Sequence, residues 1–121
     1  MEAHIKIIMF LTLAHYLADY PLQGEFLGTM KGKLKYLMFC HCLIWTGVVC
    51  VALEVCGLFE WWKLVFLFIG HISMDTWKAR HPEARALGLT YLLWIDQTFH
   101  FFQIVVVALG PLPTAKWIGG W

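Results

Sequence analysis

Four apolar stretches, each about as long as a bilayer is thick, take up most of this chain, and every one is interrupted by histidine or aspartate. A spanning helix needs about 20 mostly apolar residues. Residues 3–20, 36–57, 59–80 and 88–110 meet that need. Pro21 stops the first stretch, Pro82 follows the third, and Pro111 and Pro113 follow the fourth, all at places where a helix has already ended. Only 14% of the 121 residues are charged, against roughly 25% in an ordinary soluble domain. The mean hydropathy is +0.68. A soluble fold this small needs polar residues to cover its surface, so a small soluble enzyme and a disordered region fit poorly. A net charge of +1 offers nothing to a polyanion, and no nucleic-acid partner is expected. The expected fold is all-α: one integral-membrane domain over 1–121, a four-helix transmembrane bundle.

The first stretch could be mistaken for a cleaved signal peptide. It lacks a strongly basic start and a small-residue cleavage site, and it carries His15 and Asp19, so it reads as a span. Lys31, Lys33, Lys35, Lys78, Arg80 and Arg85 fall on one side of the four spans. Lys6, Lys63 and Lys116 fall on the other, with the termini. The positive-inside rule then makes the six-residue side cytoplasmic and both termini extracytoplasmic. The expected location is a bacterial inner membrane, or a host membrane for a phage-encoded chain.

Ionisable groups inside a span are costly and call for a functional reason. Here they are ordered. His15 and Asp19, His71 and Asp75, and Asp96 and His100 are each spaced i,i+4, so each pair shares a helix face. His41 joins from the second span. The first and third spans deliver their pairs late, and the second and fourth deliver theirs early. All seven residues therefore reach one level, in the cytoplasmic half. Two apolar spans ending in His-x-x-x-Asp, each followed by a span with a histidine, also hint at two repeated hairpins.

Imidazole and carboxylate are the usual ligands of zinc, iron and manganese, and facing helices build such sites in bundle cores. His15, Asp19, His41, His71, Asp75, Asp96 and His100 are thus candidate ligands for one or two divalent ions, zinc being the first expectation. A hydrogen-bonded network that locks the bundle, or a proton or ion path, would use the same residues. Asp96, Gln97 beside it, and Lys78 are candidate catalytic groups. Gln23, Lys31 and Lys33 are candidates for holding substrate. Cys40, Cys42, Cys50 and Cys56 lie in one span, and neighbours on a helix point about 100° apart, so Cys40-His41-Cys42 does not chelate one ion. His4 and His81 fall at the interfaces, away from the cluster.

The segments HYLADYPLQ (His15 to Gln23), a lysine at 31 or 33, His41, HISMDTWK (His71 to Lys78) and DQTFH (Asp96 to His100) occur in this order. In that combination the chain resembles a bacterial and phage integral-membrane family defined as a domain of unknown function. More loosely, it is similar to small membrane proteins described as metal-dependent hydrolases of the SOS-induced YdjM type. The second likeness implies hydrolysis by analogy alone. The leading expectation is a membrane-embedded, metal-dependent hydrolase acting on a lipid-like or phosphorylated substrate from the cytoplasmic side. Lys78, with Lys31 or Lys33, would hold an anionic group. The alternatives are a cation or proton transporter or channel subunit, for which four helices would require a homo-oligomer, and a non-catalytic phage or bacterial membrane factor.

Overall fold

The computed structural model describes residues 2–19, 26–27, 30–80 and 91–110, and over these the chain is all-α with no strands. Four long helices carry the fold: α1 (Glu2–Asp19), α2 (Lys35–Val55), α3 (Trp61–Ala79) and α4 (Tyr91–Leu109). Each falls within about two to three residues of an expected apolar stretch. The α2–α3 connection is longer than the sequence suggests. Gly57 takes a left-handed φ of 71°. Leu58 N–H then donates to Leu53 O at 2.8 Å and Gly57 N–H to Glu54 O at 2.9 Å. This is a Schellman ending, in which a glycine satisfies the last helical carbonyls. Lys63, fully buried, donates to the Leu58 carbonyl at 2.6 Å and fixes the same turn from the next helix.

α1 packs on α2, α2 on α3, α3 on α4, and α4 closes back on α1. Late α1 meets early α4 through His15 and Gln97, and late α3 meets early α4 through Lys78 and Asp96. Consecutive helices therefore run antiparallel. One half of the interior is apolar, built from Leu11, Val49, Leu53, Leu67, Ile104 and Val107. The other half holds the histidines, the aspartates and Gln103.

The outside reverses the usual distribution. Leu13 and Val55 are 66% and 68% exposed, whereas His71 and His100 are 0% exposed. Among the described residues α2 is long and apolar enough to cross a membrane, and the apolar run Trp94–Leu109 of α4 is shorter. α1 and α3 are less apolar because they carry more charged and histidine residues: Glu2, His4, Lys6, His15 and Asp19 on one, Lys63, His71, Asp75 and Lys78 on the other.

Candidate metal centre

The i,i+4 spacing does what helical geometry requires and turns each His/Asp pair inward. His15, His41, His71, Asp75, Asp96 and His100 are all at most 5% exposed. Asp19, at the end of α1, keeps a side-chain exposure of 10%. The seven residues expected from the sequence are thus brought together in one layer.

Within that layer the closest grouping lies between α2 and α3. His41 Nε2 is 3.0 Å from His71 Nε2 and 3.0 Å from Asp75 Oδ2. His71 Nε2 is 3.4 Å from that oxygen. Asp19 Oδ1 approaches the same two imidazoles from α1, at 3.5 Å from His41 and 3.8 Å from His71. Ligands about 2.0–2.1 Å from a tetrahedral ion are separated by about 3.3–3.4 Å. Two imidazoles and either carboxylate therefore form a triangle of the right size for one divalent ion. Three protein ligands are also the number a catalytic zinc takes.

Asp75 has a second oxygen turned the other way. Its Oδ1 lies 3.4 Å from His100 Nε2, and His71, Asp75 and His100 form a second compact set of donor atoms. Asp96 Oδ1 is 3.0 Å from His100 Nε2. Lys78 and Gln97 both donate to the other oxygen of Asp96, at 3.0 and 2.9 Å. Asp96 Oδ1 is left buried and without a hydrogen bond among the described residues.

Around these groups stands a layer of orienting contacts. Trp45 Nε1 donates to His15 Nδ1 at 2.7 Å. An indole N–H only donates, so His15 carries its proton on Nε2, which faces Gln97 Oε1 at 3.0 Å. Both ring nitrogens thus make contacts, and Nε2 also lies 3.6 Å from Asp19 Oδ2. The Trp45 ring also stacks on His71, with centroids 4.0 Å apart and planes 11° from parallel. Gln103 donates to Phe66 O at 3.1 Å and turns Oε1 toward His100 Nδ1 at 3.3 Å. Metal-ligating histidines commonly donate their second N–H in this way. Gly70 makes room for that amide: a Cβ there would collide with Gln103 Nε2.

Trp45 and Gln103 are absent from the residues singled out by sequence. Gln103 stood alone in the apolar run FFQIVVV, three residues after His100, and that was its signal. Trp45 is four residues after His41, yet tryptophan is common in any membrane helix. Lys31, expected to hold substrate, reaches Asp75 Oδ2 at 3.0 Å and His41 Nε2 at 3.3 Å. Lys33 lies exposed in a cleft beside it. Gln23 and His81 lie outside the described residues, and His4 is exposed.

Charge counting gives the layer its character. Asp19, Asp75 and Asp96 bring three carboxylates, while Lys31 and Lys78 bring two ammonium groups. Each of the three carboxylates is a charge in a buried place. Such a charge is tolerated when paired or when it binds a metal.

A helical protein with a buried His/Asp layer of ligand spacing is the class that fold and site define. Within it, the chain belongs to the family described as protein of unknown function (DUF3307), whose profile matches residues 7–117. The match spans every His and Asp of the layer. No curated protein and no solved structure matches the chain.

Proposed function

We propose that this protein is a membrane-embedded metal protein, and that its centre hydrolyses a lipid-like or phosphorylated substrate reached from the cytoplasmic side. The observation that carries the reading is the His41–His71–Asp75 triangle, with edges of 3.0, 3.0 and 3.4 Å. The apolar exterior around a polar interior supports placement in a bilayer, where lipid takes the role of the missing soluble surface. His41, His71 and Asp75 would hold the ion, with Asp19 in reach and His100 behind. Zinc, iron and manganese all suit this donor set. A divalent ion there supplies Lewis acidity and makes water more acidic. Asp96 is the base in this scheme: Lys78 and Gln97 hold one oxygen, and the other, facing His100 Nε2 at 3.0 Å, takes the proton. Lys78 thus orients Asp96, a different task from the substrate contact expected from sequence.

The test uses zinc-loaded protein in phosphatidylcholine nanodiscs, assayed for phosphate release from phosphatidate and from a soluble phosphomonoester. Release by the wild type and a fall of about 10²–10⁴-fold in Asp96→Asn, with zinc retained, is the expected result. Absence of release from both, together with cation flux in proteoliposomes, would replace the hydrolase with a transporter. Orientation is tested separately. A reporter fused after Trp121 is expected to behave as extracytoplasmic, and a cytoplasm-active fusion would reverse the assignment.

A further inference from the structure

A cleft of about 390 Å³ opens beside the metal centre, between the start of α2 and the end of α3. Lys31, Lys33, Lys35 and Arg80 line it with Thr76, over an apolar floor of Met38 and Ile72. No carboxylate lines it among the described residues. With no acid among them, Lys33, Lys35 and Arg80 favour an anion, and Lys31 reaches the same cleft from its pair with Asp75. The cleft also lies at the N-terminus of α2, where the N-cap Leu34 makes no side-chain cap bond. The first N–H groups of that helix add partial positive charge.

Lys31 belongs to both places. It lines the cleft, yet its ammonium sits on Asp75 Oδ2 and His41 Nε2, two of the three atoms of the ligand triangle. An ammonium and a divalent ion cannot share these atoms without strong repulsion at such range. Resting on the metal reading above, we propose that Lys31 couples the metal centre to a phosphate site in the cleft. Ion binding displaces the ammonium from Asp75 and His41, and the released side chain joins Lys33, Thr76 and Arg80 around a phosphate group. Phosphate in turn holds Lys31 away from the ligands. Each partner therefore tightens the other, by the same factor in both directions.

The coupling is measured on the full chain by zinc titration against a chromophoric chelator. One arm uses neutral detergent with or without inorganic phosphate; the other uses phosphatidylcholine nanodiscs with or without phosphatidate. The wild type should bind zinc about tenfold more tightly when the phosphate group is present, within the usual range of coupling. Arg80→Ala and Lys33→Ala should keep zinc affinity within about twofold and lose the enhancement. Lys31→Met should bind zinc more tightly than the wild type without phosphate, and gain nothing from it. Enhancement by inorganic phosphate alone identifies a water-soluble ligand, and by phosphatidate alone a lipid headgroup; both support the coupling. Zinc binding that ignores phosphate in both arms overturns the coupling and leaves the metal centre standing. Zinc binding that is absent altogether overturns both. An equal enhancement in Arg80→Ala and Lys33→Ala would mean the phosphate acts elsewhere.

Discussion

The two halves of the helix interior are built on opposite terms. Toward the α2–α3 turn, Leu11, Val49, Leu53, Leu67, Ile104 and Val107 fill the space, and a deeply buried charge, Lys63, caps a carbonyl. Toward the other end, the same helices bury four histidines, three aspartates and Gln103 among one another. The apolar half can be explained by packing alone. The polar half cannot, because replacing a buried ionic network by well-packed apolar residues is often neutral or stabilising. On the metal reading the network is kept for its chemistry, and the two halves should answer differently to mutation.

The sharpest break comes from Asp75. Both of its oxygens face histidines, and Lys31 adds a third kind of partner. Asp75→Ala should abolish zinc binding and also destabilise the protein by about 3–5 kcal/mol, since the remaining charges lose their partner. Equilibrium unfolding in detergent with a parallel metal assay reads both. Leu67→Ala, in the apolar half, should cost about 2–5 kcal/mol through its cavity and leave zinc content unchanged. A loss of zinc in that variant would show that the halves are not separable.

Smaller effects lie in the supporting contacts. Gln103→Leu, and Gly70→Ala by displacing the same amide, should weaken zinc binding about tenfold, because Gln103 holds His100 and His100 in turn holds the ligand Asp75. Equal affinity in both would remove Gln103 from the account. The least effect is expected at the turn. Gly57→Ala should cost about 1–2 kcal/mol, because its left-handed φ is strained for any residue with a Cβ, and nothing lies within 4 Å of that added atom. Zinc affinity should not move. A thermal melt with and without chelator separates the classes again, since only folded protein gains from the bound ion.

Much of this division could be read from the chain. The apolar stretches located the helices, and the i,i+4 pairs located the buried faces, because both depend on a periodicity that tertiary contacts do not alter. The turn at Gly57 was less legible: the sequence joins residues 57 and 59 almost directly, but the Schellman ending and the Lys63 cap spread the connection over Cys56–Glu60. Roles inside the layer were legible only in part. His15 looked like any other histidine of the set until Trp45, from a different helix, took its Nδ1. Lys78 was expected to hold substrate, and nothing in the sequence signals that Asp96, on another helix, lies 3.0 Å from its ammonium. Spacing along one helix reports direction, whereas a tautomer or a salt-bridge partner depends on which side chain of a neighbouring helix arrives opposite.

Metal content tests the central claim most directly. The purified protein is exposed to zinc, freed of excess, and analysed for metal per chain, beside His71→Ala and His4→Ala. His71 contributes Nε2 to the triangle, whereas His4 is exposed near the start of α1. The account predicts at least one tightly held ion per chain in the wild type and in His4→Ala, and little in His71→Ala. A wild type that retains no ion, or a His4→Ala variant that loses as much as His71→Ala, would contradict it.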